Sequence, residues 1–312
     1  MGILQQNSSF LFLVFVLFPN SYYFWIFLLY NFSEMKYNAA IKKKYSLEEK
    51  GRIPMKKLIA AALAISMTLL CCACGKKADD SDLSYIQKKG TLVVGITDYE
   101  PMDYQDENGN WTGFDAEFAR AVAEKLGVEA QFVEIDWDNK FFELESKAID
   151  CIWNGMTITD EVKLNASVSN PYVKNAQVVV MNKQSAPDYD AIELLRTLTF
   201  AVEAGSAGEA ELKAMDITDY TAVQSQSSAL MEVAAGTANA CVIDITMANA
   251  MTGEGTGYPD LAIASELSSE EYGIGFRKDS DMTAKVNEIM DELMADGTLD
   301  ALAEKYSLTL VK

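Results

Sequence analysis

The 312-residue chain contains no histidine and only four arginines, Arg52, Arg120, Arg196 and Arg277. Without imidazole there is no Ser-His-Asp or Cys-His catalysis, no His-bound zinc and no imidazole acid/base chemistry. Cysteine is sparse, and three of the five, Cys71, Cys72 and Cys74, crowd one short segment. Cys151 and Cys241 stand alone in apolar runs, at spacings that suggest neither a disulfide scaffold nor a metal cluster. They read as small buried hydrophobes. Positive charge is also short, with 26 Lys/Arg against 46 Asp/Glu and a formal charge of −20. That balance argues against broad contact with the phosphate backbone of nucleic acid. Apolar residues make up 49% of the chain, ample for a packed core, and the length suits one large domain or two moderate ones.

The N-terminal segments differ from the rest. Phe10 to Phe32 is an aromatic and aliphatic run broken by Pro19, Asn20 and Ser21, long enough to span a bilayer. A second pattern begins at Met55: Lys56 and Lys57 form a basic n-region, Leu58 to Leu70 an apolar h-region, and Cys71-Cys72-Ala73-Cys74-Gly75 follows. This is the layout of a secretory signal. Ala73 before Cys74 resembles a bacterial lipoprotein cleavage box, imperfect because Cys71 stands where Leu is usual. The expectation is that translation starts at Met55, that residues 1–54 are a mis-assigned extension, that 55–73 is a lipoprotein signal peptide, and that Cys74 is lipidated. The rival is a genuine N-terminal membrane helix. Residues 74–82 are polar and small and read as a tether. Residues 1–74 hold 8 Lys/Arg and 3 Asp/Glu, which leaves 18 and 43 for the exported part, a formal −25.

Beyond the tether the pattern alternates. Thr91 to Ile96 is an apolar strand; Phe114, Phe118, Val122 and Leu126 recur at helical spacing and Gly127 stops that helix. Ala130 to Ile135 is a strand, Phe141 to Lys147 a helix, and Ile149 to Trp153 a strand, so β-α-β-α-β connections suit a parallel sheet. The alternation restarts with strands at Gln177–Met181, Leu198–Val202, Tyr220–Val223 and Ala240–Asp244, and helices from Glu209 and over Ser227–Ala235. Glu145–Trp153 and Ala235–Ile243 are weak echoes of each other, each turning from a helix into a strand that holds a Cys. They hint at two lobes of similar build. Met282, Val286, Ile289, Met290 and Leu293 share a helix face and read as core. Gly297 ends that helix, and Thr298 is expected to cap the next one to Tyr306.

In open α/β sheets, ligands bind where strand ends meet helix N-termini. Two junctions stand out: Trp153-Asn154-Gly155-Met156-Thr157-Ile158-Thr159-Asp160, and Glu203-Ala204-Gly205-Ser206-Ala207-Gly208. Each alone is equally well a tight turn with a cap; one per lobe argues for a cleft. Gly155 lets backbone approach a ligand, and Thr157 offers a hydroxyl. Tyr99 and Trp137 follow strands and either plug the core or wall a cleft. Asp98 and Asp244 end strands from different lobes and serve either as caps or as partners for an ammonium.

These strings, together with Gly113-Phe114-Asp115, Asn170-Pro171-Tyr172, Tyr272-Gly273-Ile274-Gly275 and Asp296-Gly297-Thr298-Leu299, resemble the amino acid-binding proteins of ABC importers, solute-binding protein family 3, over about residues 83–310. The resemblance implies an α/β, two-lobed, type II periplasmic-binding-protein-like fold hinged on two crossover strands. Lobe one would be 82–181 plus 268–312, and lobe two 182–267. It implies apolar walls from Tyr99 and Trp137, and polar contacts from Asn154, Gly155 and Thr157 beside Met156. Ser206 and Ala207 would contribute from lobe two, and Asp244 would hold the α-ammonium. Family members carry an Arg just after the Thr-x-Thr segment to fork the α-carboxylate. Here Val162 stands there, followed by Lys163, and Val cannot replace a bidentate donor. Lys163, Lys174 or backbone N–H groups take its place, or the ligand lacks an ordinary carboxylate. Glu203, where the family often has a basic residue, tilts the pocket toward an amine-bearing solute.

The function so implied is capture of an amino acid or related amine by a lipid-anchored, extracytoplasmic, monomeric protein and delivery to a permease, with no cofactor, metal or nucleic acid. Two rivals stay open. One is a dehydratase-like enzyme on the same fold, with Glu100, Asp103, Glu203 and Asp244 as acid/base candidates. The other is a sensor input domain, which would normally continue into a membrane helix and an output domain beyond Lys312.

Overall fold

The structure is a computed structural model that describes residues 81–189 and 192–312. The expected signal peptide, the extension before it, Cys74 and most of the tether lie outside the described residues. Among the described residues no helix is long and apolar enough to cross a membrane.

The described residues open with a helix, and Asp82, the last residue of the expected tether, already lies in it. Ser81 accepts from the N–H of Ser84 and caps α1 (Asp82–Lys89), which Gly90 closes in the left-handed region. Then come β1 (Thr91–Ile96), the short β2 (Tyr104–Gln105) and β3 (Trp111–Thr112), α2 (Phe114–Leu126) and β4 (Glu129–Glu134). A 3₁₀ turn at Trp137–Asn139 runs into α3 (Lys140–Glu145), followed by β5 (Cys151–Ile152), α4 (Asp160–Asn165), β6 (Ser167–Val168) and β7 (Val173–Asn175). The second lobe holds β8 (Gln177–Asn182), α5 (Ile192–Leu195), β9 (Phe200–Glu203), α6 (Ala207–Ala214), β10 (Tyr220–Val223), α7 (Gln226–Ala235), β11 (Ala240–Asp244), α8 (Ile245–Met251) and β12 (Leu261–Glu266). The chain returns through β13 (Glu270–Tyr272) and β14 (Gly275–Phe276) to α9 (Met282–Ala295) and α10 (Thr298–Tyr306).

Two five-stranded sheets result, ordered β4-β1-β5-β14-β6 and β10-β9-β11-β8-β12. In each, three parallel strands lie beside an antiparallel one: β14 runs against β5, and β8 against β11. The sheets are therefore mixed, not wholly parallel as the alternation suggested. A strand that enters from the other lobe has no crossover helix to make it parallel. The two echo segments carry β5 and β11, which hold the third place in their sheets. β8 belongs to the second sheet, so Gln177–Met181 sits with lobe two, and the crossing falls ahead of the expected 181/182 boundary. The chain crosses between β7 and β8 and again between β12 and β13, and β7 pairs antiparallel with β13 at that junction. Near the C-terminus, Gly297 itself is the N-cap residue of α10. No side chain caps this helix, and Thr298 is its first residue, whose N–H donates to Asp296 Oδ1 at 3.0 Å.

Periodicity explains the first core. Phe114, Phe118 and Val122 on α2, and Met282, Val286 and Ile289 on α9, are all buried. Phe118 meets Trp153 edge-on with centroids 4.8 Å apart, and Phe114 stacks on Tyr172 at 6.1 Å. Such pairs add about 0.5–1.5 kcal/mol beyond area burial. Val179, Phe200, Val202, Leu212 and Ile217 form the second lobe's core. Cys151 and Cys241 are buried and free. Truncating Phe118 to Ala is expected to cost about 3–5 kcal/mol of stability; a urea midpoint unchanged by F118A contradicts this packing.

Candidate functional site

The loops after β5 and β9 meet the ends of β11 and the 3₁₀ turn at the junction of the lobes. They enclose a cavity of about 260 Å³. Trp137, Asn154, Gly155, Met156, Thr157, Glu203, Ser206, Ala207 and Asp244 all line it. The remaining predicted site residues lie elsewhere. Asp98 is exposed, and its carbonyl accepts from Ser227 Oγ of the other lobe at 3.1 Å. Lys163 is exposed, and its carbonyl accepts from Lys278 Nζ at 2.5 Å. Tyr99 is a buried prop and not a wall. Its hydroxyl is 2.5 Å from Thr246 Oγ1 and also bonds the Tyr272 hydroxyl. The reason is Gly155: at φ 55°, a Cβ there would lie 2.6 Å from the Tyr99 ring, so the ring packs beneath this glycine.

The lining groups differ in how much bonding capacity they retain. The Asn154 amide is fully engaged, accepting from the Thr97 N–H and hydroxyl and donating to Thr97 O and Asp103 Oδ2. Thr157 Oγ1 donates to Glu270 Oε1 at 2.7 Å, and Ser206 Oγ accepts from the Glu209 N–H at 3.1 Å as a helix cap. Asp244 is wrapped in amides: Gln177 Nε2 donates at 2.7 Å, and Asn175 and Gln226 also donate. Asn175 and Gln177 donate to Glu270 as well, at 2.6 and 2.7 Å, so amide groups hold two carboxylates together at the crossing strands.

Glu203 is different. It is 3% exposed, and its Oε1 is buried without a hydrogen-bond partner. Burial pushes its carboxyl up to about 8, and the neighbouring Asp244 charge adds to the shift. Burial likewise raises Asp244, with Glu270 adding. Burial raises Asp103 and Asp115 too, in the first lobe.

Lys140, which sequence reasoning missed, is 5% exposed and lines the cavity. Its ammonium lies 5.0 Å from the Trp137 and Phe141 ring centres. It donates to Trp137 O at 3.1 Å and, across the cleft, to Gly205 O at 2.9 Å. Burial draws its pKa down, while Glu161 and Glu203 oppose that. The three-residue step from Trp137 to Lys140 was the available signal, since it puts ring and ammonium on one helical turn. Gln226 was also missed, because a polar residue in a helix's first turn reads as solvated. The mouth includes Asp160, Glu161 and Val162, and no described arginine lines the cavity. Arg277 instead pairs with Asp82 and Asp150 on the first lobe.

Residues 92–309 match the family model for bacterial extracellular solute-binding proteins, family 3. The chain belongs to that family. An L-cystine-binding protein of Escherichia coli (strain K12) is 30% identical over 263 residues, covering 82% of this chain and 95% of its own. Among solved structures, the arginine-bound form of a truncated ArgBP from T. maritima is 38% identical with a TM-score of 0.63, covering 67% of this chain and 99% of that one. An ancestral amino acid-binding protein, a precursor of cyclohexadienyl dehydratase, is 32% identical with a TM-score of 0.67, covering 72% and 99%. The two solved structures share the fold described above.

Two outcomes follow from the geometry. The four raised carboxyls hold protons in the folded chain that the unfolded chain has released. Between about pH 4, the ordinary carboxylate range, and about 8, stability therefore falls as pH rises. Urea unfolding across that window tests the sign, and a midpoint that climbs with pH contradicts it. At Gly205, φ 69°, a Cβ would sit 2.8 Å from Asp138 Cα of the facing lobe. G205A is expected to hold the lobes apart and enlarge the radius of gyration in X-ray scattering; an unchanged radius contradicts that.

Proposed function

We propose that this family 3 protein captures an amino acid or related small amine-bearing solute between its lobes and hands it, unchanged, to the permease of an ABC importer. The observation that carries the reading is the cavity at the lobe junction, lined from both sheets by strand-end loops. A volume of about 260 Å³ lies just under the ~300–1,000 Å³ of pockets for drug-sized ligands, which suits a single metabolite. Solute contacts made by both lobes favour the shut form over the open one, and that difference supplies the shift a permease would read. The relatives support the solute class, since their names specify cystine and arginine.

Within this reading, Trp137 is the apolar wall, Thr157 and Ser206 offer hydroxyls, and Asp244 holds the solute's α-ammonium. Lys140 takes over the charge balance that Lys163, pointing elsewhere, does not supply. Cys74 carries the lipid, residues before Asp82 act as the tether, and the protein works as a monomer. Several acyl chains buried in a bilayer give firm anchoring.

The dehydratase-like reading has one observation in its favour, the similarity to the ancestral precursor. Of its four acid/base candidates, only Glu203 and Asp244 line the cavity; Asp103 is tied to Asn154 and Glu100 borders a separate groove. Capture therefore accounts for more of the site.

Calorimetry with a panel of amino acids, paired with scattering and product analysis, tests the function. The expected result is saturable binding of at least one amino acid or amine with recovery of the solute intact. Conversion of the solute during incubation, or no binding by any member, contradicts it. W137A is expected to weaken that binding by about 10-fold or more, as loss of a buried aromatic contact does.

A further inference from the structure

The cavity contains one polar atom with nothing to bond. Glu203 ends β9 at the point where the chain turns through Gly205 toward α6, and its buried Oε1 has no partner. We propose that Glu203 is the specificity-determining residue of the cleft: its Oε1 receives a cationic nitrogen of the solute, so that the protein selects amine- or guanidinium-bearing solutes over neutral and acidic ones. This deepens the capture reading and rests on it.

The groups around Glu203 act in opposite directions, and none of them bonds its Oε1. Asp244 at the end of β11 and Asp136 ahead of the 3₁₀ turn repel its ionised form, and the Thr97 hydroxyl favours it. Lys140 on α3 attracts it, yet the ammonium already donates to two carbonyls and sits against two rings. The other buried carboxylate, Asp244, has amides on both oxygens and does not need a cation in the same way. At the mouth, Asp160 and Glu161 add negative charge, which raises the local concentration of cations. An unpartnered buried carboxyl costs free energy whether it keeps its charge or takes a proton. A ligand nitrogen that donates to Oε1 removes that cost for the ionised form, which a ligand carboxylate or a hydrocarbon tail, having no donor, does not.

Burial pushes the carboxyl up to about 8, and it must be ionised to pair with a cation. Cation affinity therefore rises with pH toward about 8 and flattens above it, and binding at neutral pH releases a proton.

The test is isothermal titration of the full chain and of E203Q with L-arginine, L-lysine, putrescine, L-glutamine and L-glutamate, at about pH 6 and about pH 8. The expected result is that the cationic probes bind the wild-type protein more tightly than L-glutamine, and more tightly at the higher pH. E203Q keeps the side chain's shape, so its cation affinity is expected to fall about 10- to 100-fold while L-glutamine binds equally well or better. A wild-type preference for L-glutamine or L-glutamate, or cation affinity unmoved by E203Q, overturns the assignment of Glu203 and leaves capture intact. Absence of binding by every probe overturns both. If E203Q does not fold, the wild-type preference and pH slope decide alone.

Discussion

Carboxylates buried at the meeting of the lobes, with no guanidinium among them, set the terms for everything else in the cleft. A buried charge is tolerated only when it is paired, fully hydrogen-bonded or neutralised. Asp244 takes the second route through Asn175, Gln177 and Gln226, and the half-buried Glu270 shares the first two amides. Glu203 takes the third: burial pushes its carboxyl up to about 8, so that it largely keeps its proton at neutral pH, while its Oε1 stays without a hydrogen-bond partner. The chemistry of the cleft is thus acidic at its closed end and acidic at its mouth, with Lys140 as the cation between.

The same network ties binding to architecture. Asn175 ends β7 and Gln177 begins β8, so the amides that hold Asp244 flank the crossing of the chain from one lobe to the other. Glu270 begins the returning strand β13 and also accepts from Thr157 of the cavity wall. Movement of the lobes therefore changes the surroundings of Asp244, which lines the cavity. Lys140 to Gly205 O, Ser227 to Asp98 O, and Thr246 with Tyr99 and Tyr272 are among the bonds that link the two lobes.

Sequence periodicity revealed the fold to the extent that burial follows it. The α2 and α9 stripes, the strands with Cys151 and Cys241, and the Gly127 stop are where spacing put them. The β8 assignment failed because an apolar run of strand length carries no mark of which sheet it joins; pairing with β11 and β12 decided that. At the site, strand-end position identified Asn154, Gly155, Glu203 and Asp244. It also nominated Asp98 and Tyr99, because adjacency to a strand end does not say which way a side chain turns, while Lys163 was named only as a stand-in for the family's missing Arg. Tyr99 turns under Gly155 to meet Thr246, and Lys163 lies on the outer side of α4, away from the cavity that Val162 lines. Lys140 escaped notice because a lysine in a helix's first turn is ordinarily solvated; its burial depends on Gly205, sixty-five positions along the chain.

The most direct measurement is native mass spectrometry of the protein as purified from a growing culture, followed by identification of whatever small molecule denaturation releases. The account predicts one bound solute of amino-acid size that carries a basic nitrogen and leaves chemically unchanged. Release of an acidic or purely neutral compound, or of a product absent from the medium and the cell's amino acid pool, would contradict it.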